Sequence, residues 1–389
     1  MVHKMKFFNA NIFIPERGFK LGGFEVENGI FSEVYNHEEM EVLGIDLNGA
    51  YIIPGLIDIH THGNSNEDFS DGKPEGLYKI AKYQLQNGIT SFLPTSMTLP
   101  FDSLKKAFCN AYDFTLHDHP ECAEVIGIHM EGPFLSEGRK GAQNSKYLCS
   151  PDYDYYKKLQ RACDNLIKIL DVAPEIRGAT DFIKKLTHDE KEHEIPIISI
   201  AHTDADYMVA KDAFSLGIKH VTHLFNGMPS VHHRAPGVIG AACERDDVTV
   251  ELICDGIHVH PSVVRMAFKL FPHRICLISD SLRCCGMPDG EYELSGQRVV
   301  LKSGEARLKD GTLAGSARNL FDCMKKAIEF GIPIVNAVES VTMTPAKLLG
   351  LENKIGSIKV GNDADFIVCN DRLEINDVFK KGISIKGHF

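Results

Sequence analysis

Five short stretches of this chain put imidazoles and carboxylates at the ends of apolar runs. They are Asp58-Ile-His-Thr-His62, His129-Met-Glu131, Ala201-His202, Val221-Thr-His223 and Ser279-Asp280. In an extended strand, residues two apart share a face, so His60 and His62 can aim both rings at one point. His60, His62, His202, His223, Glu131 and Asp280 together offer four imidazoles and two carboxylates. That is the usual ligand set for one or two borderline divalent ions such as zinc; iron, manganese and cobalt suit the same donors. Taken singly, each is an ordinary polar residue at a strand end. The set gains meaning only if one fold gathers all six ends.

The surrounding pattern predicts such a fold. Eight apolar runs, at 56–59, 90–93, 125–129, 166–172, 195–200, 220–224, 248–254 and 275–278, alternate with longer amphipathic segments. Segments 76–86, 102–114, 206–214 and 262–270 have helical periodicity. Strands alternating with helices in this number predict an α/β fold, a (β/α)8 TIM barrel, in which the carboxyl ends of the strands carry the active site. A doubly wound open sheet is the alternative, but no G-x-G-x-x-G follows the first run. Both chain ends read as short strands, with a hairpin signal at Asn28-Gly29, and predict one small β-sandwich domain. The expected division is residues 1–53 with 350–389 for the sandwich, and 54–349 for the barrel. A further β-like piece, residues 292–313, carries three turn signals and has no evident place.

Composition narrows the function classes. The 389 residues are 43% hydrophobic and 24% charged, an ordinary globular mix. The formal net charge of -11 argues against nucleic acid and anionic membrane as partners. No secretory leader is evident at the start and no window is apolar enough to span a bilayer. The eleven cysteines, an odd number without a C-x-x-C pair, read as reduced thiols of a cytoplasmic protein. His3, His37, His117, His119, His188, His193, His273 and His388 read as surface or loop residues.

The motifs carry a family resemblance. Pro54-Gly-Leu-Ile-Asp-Ile-His-Thr-His62 resembles the opening strand of the amidohydrolase superfamily, and the segment from Gly356 to Phe366 resembles its closing one. Within that superfamily the chain resembles the N-acetylglucosamine-6-phosphate deacetylases. The matching pieces are His129-Met-Glu-Gly-Pro-Phe134, Ala201-His-Thr-Asp204, Thr222-His-Leu-Phe-Asn-Gly-Met-Pro229, Cys254-Asp-Gly-Ile-His-Val259, Ile278-Ser-Asp280 and Leu313-Ala-Gly-Ser316.

The resemblance implies roles. Glu131, His202 and His223 would hold a principal metal; His60, His62 and Asp280 would hold a second, with Glu131 between them. Asp280 would act as general base and then general acid. His258 would contact the sugar, with Asn226, Gly227, Ala142, Gln143, Leu313, Ala314 and Gly315 lining its site. Arg234 would bind the phosphate, reaching across a homodimer interface as in relatives. Many relatives carry a histidine in place of Gln143, which can donate an amide N–H but cannot carry charge. The implied substrate is N-acetylglucosamine 6-phosphate, a phosphorylated amino sugar. N-acetylgalactosamine 6-phosphate or a non-sugar amide are the alternatives.

Overall fold

The computed structural model describes residues 4–36, 44–188 and 195–387. His3, His37, His193 and His388 therefore lie outside the described residues. Parallel strands occupy all eight predicted runs: Leu56–Thr61, Ile89–Ser96, Glu124–Val125 with Ile128–Met130, Ile167–Val172, Ile197–Ile200, His220–Val221, Thr249–Ile253 and Ile275–Ile278. They pair in chain order as a TIM barrel, the third strand being interrupted between its two pieces. The sixth is shorter than expected, because the chain turns out of the sheet at Thr222 and His223.

No continuous ladder joins the eighth strand to the first. Backbone bonds close the seam at both ends instead. Near the carboxyl ends, Asp280 N–H donates to His60 O at 2.9 Å and His62 N–H to Ser281 O at 2.9 Å. At the opposite end, a turn after a short helix fills the gap: Ile57 N–H reaches Val341 O and Leu277 N–H reaches Ser340 O, both at 2.9 Å. The seam is thus tied most directly beside His60, His62 and Asp280.

Helices cover the barrel for legible reasons. Asp206 caps Tyr207–Ser215 by accepting from Val209 N, and Asn319 caps Leu320–Glu329 by accepting from Asp322 N. His260, outside the predicted ligand set, is such a cap: its ring accepts from Ser262 N at the head of Pro261–Leu270.

Both chain ends share one eight-stranded sheet. Lys4–Ile14, Gly18–Glu27 and Ile30–Asn36 come from the start, and Phe366–Cys369, Ile375–Lys380 and Ile383–Ser384 from the end, with Tyr51–Pro54 between them and the short Ile45–Asp46 paired with Lys4–Ile14. Asn28 and Gly29 both have positive φ (54° and 82°), the hairpin geometry their types predict. Phe24 and Phe366 lie on strands separated by two others, yet their rings are 5.0 Å apart. The sheet therefore curls over itself, and its two halves face one another as layers of a sandwich around Phe7, Phe24, Phe31, Phe366 and Phe379.

The 292–313 piece forms a four-stranded antiparallel sheet running from Gly290 to Ser316. Its last strand, Leu313–Ser316, returns to the barrel: Ser316 N–H donates to Asp280 O at 2.8 Å and Leu282 N–H to Ser316 O at 2.9 Å. Gly315 is required there, because a Cβ at its φ of +150° would come within 2.9 Å of Leu282 and 3.1 Å of Asp280 O. A small core of Met97, Ala142, Leu282, Leu294, Val299 and Leu301 fixes the excursion over the barrel mouth.

Candidate metal centre

All six predicted ligands sit at the carboxyl ends of barrel strands. His60 is in the first strand and His62 just past it. Glu131, His202, His223 and Asp280 follow the third, fifth, sixth and eighth. His202, His223 and Asp280 hold left-handed backbone, with φ of 41°, 28° and 47°. Such backbone costs about 1–3 kcal/mol per non-glycine residue and concentrates at functional sites. Here the strain falls at the residues where the chain leaves the strand and the side chain turns toward the other five. Gly227 makes room for one of them, since a Cβ there would lie 2.9 Å from His202 Nδ1.

The six side chains converge on Glu131. Its Oε1 lies 2.9 Å from His202 Nε2 and 3.1 Å from His223 Nε2. Its Oε2 faces His62 Nε2 at 3.4 Å and His60 Nε2 at 3.9 Å. Asp280 Oδ1 completes the second half, 3.2 Å from His62 Nε2 and 3.5 Å from His60 Nε2. The far nitrogens set the tautomers. Each Nδ1 donates outward: His60 to Glu251 Oε2 (2.9 Å), His62 to Thr95 O (3.1 Å), His202 to Arg139 O (2.7 Å) and His223 to Asn226 O (3.2 Å). Four Nε2 atoms, each free to offer a lone pair once its proton is displaced, therefore point inward at two carboxylates.

That arrangement suits a cation. His60 Nε2 is fully buried without a hydrogen-bond partner, and His202 Nε2 stands 3.2 Å from His223 Nε2. Burial disfavours charge on His62, but hydrogen bonding to Asp280 and the charge of Glu131 raise it to about 9. Burial acts likewise on His223, and Glu131 overrides it, raising the ring to about 10. Burial opposes the ionised form of Glu131, yet His202 and His223 hold it well below the usual carboxylate range. Asp280 is also held low, bonding to His62 and the charges of His60 and His62 outweighing burial. A divalent ion would take the place of these protons, as metal binding at histidines does generally. The residues present fit such an ion.

A cavity of about 230 Å³ opens above His62, Glu131, His202, His223 and Asp280, with His60 buried beneath. His258, Asn226, Gly227, Ala142, Gln143, Leu313, Ala314 and Gly315 line it, so the structure brings the expected sugar neighbours together. Arg234 is exposed, on a tight hairpin closed by His232 and Ala235, and does not reach this cavity. Asp255 anchors His258 Nδ1 at 2.7 Å, and the pair is buried. Gln143, which lines the cavity, gives one of its two amide N–H groups to Glu131 Oε2 at 2.6 Å. His117, His188 and His273 are exposed, and His119 stacks on Phe114.

One functional layer escaped the sequence reading. Glu251 is fully buried under the site. It accepts from His60 Nδ1, from His223 N–H at 3.1 Å and from His220 Nε2 at 3.2 Å, so it steadies one predicted ligand from each half. Asp171 beside it bonds His129 Nε2 at 3.0 Å and Thr222 Oγ1 at 2.7 Å. Burial works against charge on His129, but Asp171 raises it to about 9. The available signal was a carboxylate or imidazole inside an apolar run, as at Glu251, Asp171, His129 and His220. A buried charge of that kind must be paired.

Known proteins resemble this chain in sequence and fold. The family model described as "Amidohydrolase family" matches residues 51–384. An N-acetylglucosamine-6-phosphate deacetylase of Bacillus subtilis (strain 168) is 38% identical over 330 residues, covering 84% of this chain and 82% of its own. An N-acetylgalactosamine-6-phosphate deacetylase of Escherichia coli O157:H7 is 28% identical, covering 92% of this chain and 93% of its own. A mutant N-acetyl-D-glucosamine-6-phosphate deacetylase of Mycobacterium smegmatis, solved with N-acetyl-D-glucosamine-6-phosphate bound, superposes with a TM-score of 0.91. It is 26% identical and covers 98% of this chain and 99% of its own. The family is metal-dependent, and the clustered imidazoles and carboxylates are in keeping with that. By barrel, converging ligands and sequence alike, this chain belongs to the amidohydrolase family, on the branch of the N-acetylglucosamine-6-phosphate deacetylases.

Proposed function

We propose that this chain is a metal-dependent deacetylase that hydrolyses N-acetylglucosamine 6-phosphate to glucosamine 6-phosphate and acetate. The observation that carries this reading is the convergence of four inward Nε2 atoms and two carboxylates on the floor of a cavity walled by His258, Asn226–Gly227 and Leu313–Gly315. The named relatives and the sugar-phosphate complex of the M. smegmatis protein support it.

His202, His223 and Glu131 Oε1 would hold one ion; His60, His62, Asp280 and Glu131 Oε2 would hold a second. The split of Glu131 between the two sets favours two ions, and zinc is the first choice for these donors. A divalent ion there supplies Lewis acidity, polarising the acetamide carbonyl and lowering the pKa of a water to about 7. The remaining work falls to the chain. Asp280, ionised at neutral pH, takes a proton from the attacking water as its oxygen bonds to the acetyl carbon. It then delivers that proton to the departing nitrogen as the C–N bond breaks. His258, braced by Asp255, presents Nε2 to the sugar.

No Lys or Arg lines the cavity among the described residues, yet the substrate's phosphate needs a cation. Arg234, exposed on its hairpin, would supply a guanidinium fork from a second copy of the chain, which makes the active form a homodimer. Arg234→Ala is expected to raise KM for 6-phosphates about tenfold to a hundredfold, the equivalent of the ~1.5–3 kcal/mol of a charge-assisted hydrogen bond. KM for unphosphorylated N-acetyl sugars should hardly move. Equal losses on both would make Arg234 a structural residue.

The eleven cysteines are unpaired and mostly buried, which supports a reducing compartment such as the cytoplasm. Among the described residues, no helix is long and apolar enough to cross a membrane. We read the chain as two units, residues 1–53 with 350–389 and residues 54–349, the second carrying every site residue.

The E. coli relative and the occupied amide of Gln143 favour one second reading, activity on N-acetylgalactosamine 6-phosphate. Acetate release from the two 6-phosphates and from free N-acetylglucosamine tests both. The glucosamine epimer is expected to give the highest kcat/KM. Preference for the galactosamine epimer would replace the first reading with the second, and silence on all three would overturn both.

A further inference from the structure

Gln143 lines the cavity but is only 2% exposed, and both ends of its amide are engaged. Its Oε1 accepts the backbone N–H of Thr98 at 2.7 Å, and its Nε2 donates to Glu131 Oε2 at 2.6 Å. A backbone N–H can only donate and an ionised carboxylate can only accept, so the amide has a single orientation. Reversing it would set donor against donor at Thr98 and oxygen against oxygen at Glu131. Thr98 lies just beyond the second barrel strand and Glu131 just beyond the third. Gln143 therefore clamps the Glu131 carboxylate to the backbone of a neighbouring strand end.

The clamp bears on the atom where orientation matters most. Glu131 Oε1 faces His202 and His223, while Oε2 faces His62 and His60. The terminal torsion of a glutamate is broad, so nothing intrinsic to the side chain holds that division. Thr98 occupies the amide's acceptor, Glu131 takes one of its two N–H donors, and Met97 Sδ stands 3.8 Å from the same nitrogen, so the groups a sugar hydroxyl or acetyl oxygen would meet are engaged within the protein. We propose that Gln143 is a positioning residue: it locks the plane of Glu131 so that the two carboxylate oxygens serve the two halves of the site, and it does not read the sugar. The proposal rests on the reading of Glu131 as a shared metal ligand.

Gln143→Met tests it, keeping the length and the contact with Met97 but neither hydrogen bond. Zinc affinity is measured on stripped protein by competition with a chromophoric chelator, beside KM and kcat at saturating zinc. Positioning predicts zinc affinity about 10- to 100-fold weaker, the usual effect of losing a group that orients a ligand. It also predicts a lower kcat and a KM within twofold of wild type. The melting temperature of zinc-free protein should stay near wild type while its rise on zinc addition shrinks. Gln143→Asn, too short to span both partners, should shift affinity in the same direction. Unchanged zinc affinity with a KM raised tenfold would overturn the proposal and make Gln143 a sugar contact. An equal drop in melting temperature with and without zinc would overturn it too, as a packing effect. If wild type itself takes up no zinc, the metal reading fails; if wild type binds and both variants bind equally well, only the clamp fails.

Discussion

Asp280→Asn should lose about two to four orders of magnitude in kcat while retaining its metal, the span that general acid–base groups contribute. Asp280 has the more exposed carboxylate of the two in the centre, with 11% of its side chain accessible against 3% for Glu131. Its left-handed backbone and the bond from Asp280 N–H to His60 O fix where that carboxylate sits. Asparagine keeps the shape and can leave an oxygen facing His62, so the donor cluster survives. An amide cannot accept a proton at neutral pH, so the transfer from water to nitrogen stops. The check is steady-state kinetics paired with metal analysis on one preparation. Near-normal deacetylation by metal-loaded Asp280→Asn would remove Asp280 from the proton path.

The second large effect is expected at Glu131. Glu131→Gln keeps the volume but removes the one negative charge shared by all four imidazoles. His202 and His223 each lose the carboxylate partner at 2.9 and 3.1 Å, and the facing Gln143 amide meets another amide. Metal content measured by mass spectrometry should fall below one ion per chain after dialysis, with deacetylation falling in proportion. Without that charge, the main cause raising His223 to about 10 is gone, and its proton leaves at lower pH. Since a raised histidine stabilises the fold below its folded pKa, zinc-free Glu131→Gln should lose stability relative to wild type at pH 7 and less so above pH 10. Full metal retention would show that Glu131 is not a shared ligand.

Much of this is legible in the sequence. The barrel is, because its strands are buried on both faces and read as apolar runs at 90–93 or 275–278. The convergence of the six side chains is, because each ends such a run and a barrel gathers strand ends on one face. The terminal sheet is visible at Asn28-Gly29, where residue type dictates positive φ. What stayed hidden depends on contacts distant in sequence. Glu251 serves His60 from 191 residues away, and no local pattern names its partner. The strands of the 290–316 excursion could be read from their turns, but not their docking on Asp280, which depends on backbone bonds at Ser316 and Leu282. Gln143 could be recognised as a departure from the motif, while the direction of its amide depends on Thr98, 45 residues earlier.

The central claim, that these six residues hold a catalytic ion for amide hydrolysis, is tested most directly by one titration. Protein stripped by chelation is reloaded with zinc in steps, and bound metal and acetate release from N-acetylglucosamine 6-phosphate are read on each sample. Acetate release should be absent from stripped protein and rise with occupancy, saturating as the site fills at one or two ions per chain. Undiminished acetate release from protein shown to be free of metal would contradict the account.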